Sequence, residues 1–238
     1  FGYYNSHKIA LSSVNAKPAP ESYRQYHLSV EGLAIASGLP KPKLYIMEDN
    51  NINAFASGRD PKNAVICVTT GTLKKLDKHE LEGVLAHEMS HIANYDIRFM
   101  TLTAVLVGMI AIISEIFLRS LFWGSMHGNR DRGKANAIFI IIGIVLAILA
   151  PIVVTLVQLA ISRKREYTAD ATGVKFTRSP TGLINALKKI KLEHPTREDR
   201  QITKAIAPLF ISNPFKKFGG LFQTHPPLEK RIEILERM

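Results

Sequence analysis

Residues 137–161 run for 25 positions without a charged side chain, and no other feature limits the possible folds as much. As a helix rising about 1.5 Å per residue the run measures roughly 37 Å, longer than the roughly 30 Å hydrocarbon core of a bilayer. Its 17 Ile, Leu, Val and Phe side chains outweigh Thr155 and Gln158. At about 0.4 kcal/mol apiece they favour insertion by roughly 7 kcal/mol. The run is read as a membrane span, kinked but not broken at Pro151. Residues 99–123 are read as a second span, interrupted by Glu115 and Arg119. Four apart, these two can pair on one helix face, and both lie past the segment's midpoint, where a charge costs less than the roughly 3 kcal/mol of the centre. A buried or re-entrant helix, or an intramembrane carboxylate that moves ions, are the alternatives for this stretch. The polar residues 124–136 then form the tip of a helical hairpin, which returns the chain to the side it left.

The remaining composition is that of a folded protein. Of 238 residues, 46% are hydrophobic and 21% charged, which excludes general disorder. The single Cys67 lies in Ala64-Val65-Ile66-Cys67-Val68 and reads as a small apolar residue in a buried strand. The net charge of +11 is concentrated after residue 161. Nucleic-acid binding would call for aromatic residues interleaved on a basic face, and these are missing; instead Arg163-Lys164-Arg165 directly follows the apolar run. Basic residues beside a membrane span attract anionic head groups and mark the cytoplasmic side.

Outside the hairpin, apolar residues at helical spacing predict a helix over 21–37, ended by Gly38 and Pro40. Short strands are expected at 43–47, 52–56 and 64–69, with turn-rich breaks between them, and an antiparallel meander is their simplest pairing. Asp77 followed by Glu80 resembles a capping box that starts the next helix. Further helices are expected from Glu166 to about Phe176, from about Ser179-Pro180, and after Pro226-Pro227. The fold class is therefore α+β and mostly helical, with a small antiparallel sheet, in three parts: 1–98, the transmembrane hairpin 99–161, and 162–238.

Within the helix that follows Asp77, His87-Glu88-Met89-Ser90-His91 is an H-E-x-x-H motif. Both imidazoles then project from one face and can hold one metal ion, with Glu88 beside them as base for the attacking water. With this His and Glu content the motif arises by chance roughly 0.015 times per chain, so a helix with two surface histidines is the weaker alternative. A catalytic zinc needs a third protein ligand, and residues 93–98 contain no further His. Glu166 and Asp170 share a helix face, so Glu166 can ligate while Asp170 accepts a proton from a ligand imidazole; alternatively the pair is a solvated acidic stripe. Topology favours Glu166. His91 lies eight residues before the first apolar segment and Glu166 five after the second, so the hairpin brings both to one membrane face.

Asn53-Ala54-Phe55-Ala56, Thr69-Thr70-Gly71, residues 80–88, Asp96, Glu166-Tyr167-Thr168-Ala169-Asp170 and Thr224-His225-Pro226-Pro227 carry a resemblance that runs nearly end to end. On these residues the chain resembles the HtpX-type membrane-bound zinc metalloproteases and, more distantly, the CAAX prenyl endopeptidases. The resemblance implies a gluzincin-like fold with one Zn2+ held by His87, His91 and Glu166, and Glu88 as catalytic base. It also implies that Asn53, Ala54, Phe55 and Ala56 form an edge strand for an extended peptide substrate, and that His225 stabilises the tetrahedral oxyanion; taken alone, Asn53 could simply close a turn and His225 simply precede a helix. Chains of this type usually begin with two further hydrophobic segments, so this one, opening at Phe1-Gly2-Tyr3-Tyr4, is expected to be a truncated form. The expected activity is endoproteolysis of misfolded or damaged membrane proteins in a prokaryotic plasma membrane, on its cytoplasmic side. The alternatives are a prenyl-protein endopeptidase and a membrane scaffold or chaperone with a vestigial zinc site. Because zinc binds neutral imidazole, activity is expected to fall below about pH 6.5.

Overall fold

Residues 64–69 hold five apolar or small side chains in succession rather than alternating ones, and their place in the structure follows from that. The computed structural model describes residues 6–99, 116, 144, 163–193, 210–211 and 226–238. In it β1 (Lys17–Pro18), β2 (Lys43–Met47), β3 (Ala54–Ser57) and β4 (Val65–Thr69) form one sheet in the order β1-β2-β4-β3. β4 is buried along its whole length. Ile66 and Val68 face one apolar cluster while Val65 and Cys67 face another, so both surfaces of β4 are covered and it takes a central position. It pairs parallel with β2 (Lys43 opposite Val65) and antiparallel with β3 (Ala54 opposite Val68).

The expected antiparallel meander is thus corrected to a mixed sheet. The chain passes from β2 to the far edge at β3 before returning through the middle, because the doubly covered strand belongs between two neighbours and not at an edge. Cys67 fits its expected role: it is fully buried, and that burial raises its thiol pKa well above the ordinary value.

α2 (Arg24–Ser37) and α4 (Lys78–Ala93) cover one sheet face. Tyr26 on α2 is fully buried and its hydroxyl donates to the Ile66 carbonyl at 3.0 Å. α2 ends where expected, with Gly38 in the left-handed region at φ 70°. α1 (Ser6–Ser13), which the sequence does not announce, places Ala10 and Leu11 in the cluster on the opposite face, with Val14 just beyond its end. α3 (Thr70–Lys75) is a short helix capped by the Thr69 side chain. α5 (163–177), α6 (Thr181–Leu192) and α7 (Leu228–Leu235) complete the described helices named here, and α4 lies in the core between α2 and α6.

No helix among the described residues is long and apolar enough to cross a membrane. The expected spans 99–123 and 137–161 lie, apart from residues 99, 116 and 144, outside the described residues, as does the expected oxyanion residue His225.

Candidate metal centre

The helix that carries the motif is fixed at its start by Asp77. The Asp77 side chain accepts from the Glu80 backbone N–H at 2.9 Å, and Glu80 Oε2 accepts from the Asp77 N–H at 2.8 Å, which completes the expected capping box. Lys189 on α6 also donates to Glu80 Oε2, at 2.6 Å. Leu81, Val84, Leu85, Met89 and Ile92 enter the apolar core, and His87, Glu88 and His91 are buried with them.

His87 Nε2 lies 3.2 Å from His91 Nε2, and Glu166 on α5 presents Oε2 to His87 Nε2 at 3.6 Å and Oε1 to His91 Nε2 at 3.5 Å. Ligand atoms of all three residues fall within 4.8 Å of one another. Donors about 2.05 Å from a tetrahedral zinc ion stand roughly 3.3 Å apart, so these spacings fit one face of such a site. Each imidazole turns its other nitrogen to a carboxylate: His87 Nδ1 is 2.9 Å from Asp170 Oδ1, and His91 Nδ1 is 3.0 Å from Asp96 Oδ2. Such outer carboxylates fix the tautomer that leaves Nε2 as the donor. Asp170 and Asp96 thus sit against the Nδ1 atoms of His87 and His91, one carboxylate for each histidine.

Charge and burial shape the titration of the group. Burial lowers the His87 pKa, and the adjacent Arg231 charge lowers it further. Burial alone would also lower His91, yet the hydrogen bond to Asp96 and the charges of Glu166 and Glu88 prevail and raise it to about 9. Burial pushes the Glu88 carboxyl up to about 7, with Glu166 adding to the effect and the Ala56 backbone amide among the groups opposing it. Glu88 Oε2 is buried with no hydrogen-bond partner among the described residues.

Asn53 and β3 lie beside this group. The Asn53 N–H donates to Thr69 Oγ1 and Thr72 Oγ1 at 3.1 and 2.8 Å, and its side-chain Oδ1 accepts from the Ala54 N–H at 3.1 Å. Asn53 is thus fastened to Thr69 and Thr72 at the entry to β3. Along the outer edge of β3 the chain's own Phe210 forms an antiparallel bridge with Phe55, and the Ala54 carbonyl accepts from the Ile211 N–H at 3.0 Å. The edge expected to receive an extended peptide therefore carries a strand-like partner at this point.

Arg231 is the residue that sequence reasoning missed. It is fully buried, its Nε and Nη2 donate to Asp170 Oδ2 and Oδ1 at 2.9 and 2.7 Å, and its Nη1 lies 3.2 Å from Glu166 Oε2. Burial would lower its pKa, but Asp170 and Glu166 raise it, while the Asp170 carboxyl, which burial would raise, is held low chiefly by Arg231. The signal was present in α7: Leu228, Arg231, Ile232 and Leu235 recur at the spacing of a core stripe, so the arginine sits where an apolar residue belongs.

Residues 20–238 match the model of Peptidase family M48. The chain is 51% identical over 240 residues to the Protease HtpX homolog of Caldanaerobacter subterraneus subsp. tengcongensis, covering 99% of this chain and 79% of that one. The Protease HtpX homolog of Thermoanaerobacter pseudethanolicus is 50% identical over 239 residues, with the same shares covered. Among solved structures, that of S. mikatae Ste24p superposes with a TM-score of 0.58 at 20% identity, covering 97% of this chain and 53% of that one, which is a likeness of fold.

Proposed function

Since the chain belongs to Peptidase family M48, we propose that it is a membrane-bound zinc endopeptidase that cleaves misfolded or damaged membrane proteins at the cytoplasmic face of a prokaryotic plasma membrane. The observation that carries the reading is the convergence of His87, His91 and Glu166 at zinc-like spacing, with the Glu88 carboxyl buried beside them. In this reading 1–98 and 162–238 form one peptidase unit, interrupted by a transmembrane hairpin at 99–161.

A zinc ion held by these three residues supplies a Lewis acid that acidifies water and polarises a peptide carbonyl. Glu88 takes the proton of the attacking water and returns it to the leaving amine. Its place buried beside the three ligand side chains suits both steps, since the same carboxyl group can accept the proton and give it up again. Asp170 and Asp96 keep the ligand imidazoles oriented, and Arg231 anchors Asp170 and Glu166 from behind. An extended peptide bound along β3 through main-chain groups, a mode that accepts many sequences and suits a broad clearance role, would have to displace the Phe210-Ile211 segment at Ala54 and Phe55 or pair beyond it. The uncharged run 137–161 and the basic residues after it support a membrane setting with the site on the cytoplasmic side.

The test is Glu88→Gln in detergent-solubilised protein, with casein and an unfolded membrane protein as substrates. Hydrolysis should fall by about 10²–10⁴-fold while bound zinc stays at one per chain. Cleavage at the wild-type rate overturns the mechanism, and a strong preference for farnesylated over unmodified peptide favours a prenyl-protein endopeptidase instead.

A further inference from the structure

The two ligand histidines are held by the same device used twice. His87 leans on Asp170, which Arg231 grips from behind; His91 leans on Asp96, whose other oxygen, Oδ1, accepts from Arg165 Nη1. Arg231 comes from the last helix and is fully buried. Arg165 comes from α5, immediately before the ligand Glu166, and its side chain is 31% exposed. Its guanidinium carbon also lies 4.1 Å from the centre of the Phe99 ring. Phe99 is the last described residue before the long apolar stretch, and Arg165 is among the first after it. A basic residue that the sequence assigns to lipid head groups is therefore turned inward, toward a buried carboxylate and an aromatic ring.

Chemistry favours arginine for this task. Its planar group can present an N–H to a carboxylate in its own plane while its face stacks on a ring; an ammonium offers a point charge with neither constraint. Asp96 is buried and linked to His91 Nδ1, so whatever fixes the rotation of its carboxylate fixes the imidazole, and with it the direction of Nε2.

Resting on the metal-centre reading above, we propose that Arg165 is a positioning residue of that centre: it clamps Asp96 so that His91 faces Glu166 and His87, and through Phe99 it ties this alignment to the two ends of the apolar stretch. The side chain touches neither substrate nor metal and acts through Asp96.

The test is zinc retention by the full chain in detergent against a series of chelators, together with kcat and KM for an unfolded substrate. Asp96→Asn should weaken zinc binding by about 10- to 100-fold, the range seen when an outer partner of a ligand is removed. Arg165→Met should weaken it by about 10-fold, and Arg165→Lys, which keeps the charge, by no more than about 3-fold. In the Asp96→Asn background, Arg165→Met should add less than about a further twofold, because its target is already gone. KM should change less than kcat in Arg165→Met, since the residue aligns the centre and does not bind peptide. A wild type that holds zinc together with an Arg165→Met variant within twofold of it overturns the proposal, as does full additivity of the two substitutions. A wild type that holds no zinc overturns the metal centre itself and this proposal with it. If Arg165→Met does not fold, Arg165→Gln and Phe99→Leu decide: both should weaken zinc retention by more than about 3-fold without lowering the melting temperature of the zinc-free protein, and retention within twofold of the wild type, or a fall in melting temperature without loss of zinc, overturns the positioning role.

Discussion

Arg231 has no exposed surface, and a charge in that position is tolerated only because Asp170 and Glu166 face it. Replacing both sides of such a group by well-packed apolar residues is often harmless, whereas removing one side leaves the others buried and uncompensated. Arg231→Met should therefore destabilise the fold by about 3–5 kcal/mol, read as a lower denaturation midpoint of the zinc-free protein. Arg231→Lys should recover only part of the loss, because one ammonium cannot reproduce the forked contact with both Asp170 oxygens. A variant with an unchanged midpoint would mean that the carboxylates find other partners. At this scale spacing alone singled out two groups, His87, Glu88 and His91 on one helix and Glu166 and Asp170 on another; that the two groups meet could be expected only from the topology of the hairpin and the family resemblance. The sequence was not legible for the arginines, whose partners lie 61 and 69 residues away: Arg231 drew no reading, and Arg165 read as a lipid contact.

Among elements, α4 and α6 meet so closely that each presents a glycine to the other. A Cβ added at Gly83 would stand 2.4 Å from the Leu183 backbone nitrogen, and one at Gly182 would stand 2.2 Å from the His79 carbonyl oxygen. Two effects compete in Gly83→Ala. The change favours an isolated helix by about 1 kcal/mol, but the obstacle is backbone, which cannot rotate away, and overpacking of this kind costs about 1–3 kcal/mol. Packing should win, with a net loss of stability and looser zinc binding as α4 shifts; a stabilised Gly83→Ala would show that α6 gives way freely. The cap offers a milder comparison: Asp77→Ala should cost about 1 kcal/mol and leave zinc affinity nearly unchanged, since His87 lies more than two turns beyond it. Helix starts and stops such as Asp77 and Gly38 were legible because caps are local chemistry. The sheet order was not, because nothing local tells β4 that α1 will cover its second face, and a two-residue strand such as Lys17–Pro18 carries no periodicity at all.

Taken over the whole molecule, the centre is assembled from α4, from Asp96 just beyond it, from α5 and from α7, so the charge state of one group reports on the entire arrangement. Ordinary histidines would place the loss of zinc near pH 6.5, but His91 is raised to about 9. At pH 7 the metal-free protein therefore holds a proton on His91 that zinc must displace, whereas His87, lowered by burial and Arg231, is already neutral there. Zinc affinity should rise by about tenfold per pH unit between 7 and 9 on account of this proton, and flatten above about 9. The fold itself should respond in the opposite sense. A group whose pKa is higher folded than unfolded adds stability that is complete below the unfolded value and is lost as the pH rises through the folded one. His91 does this between about 6.5 and 9, and Glu88 between its ordinary value and about 7. Below about pH 6.5 the lowered His87 works against Glu88, so the clear trend lies above it: zinc-free protein should melt at progressively lower temperature from about pH 6.5 to 9, while protein in excess zinc gains from the metal over the upper part of that range, so the two melting curves separate as the pH rises. Calorimetry in chelator and in zinc across that range checks both trends at once, and parallel curves would show that His91 does not exchange its proton for the metal.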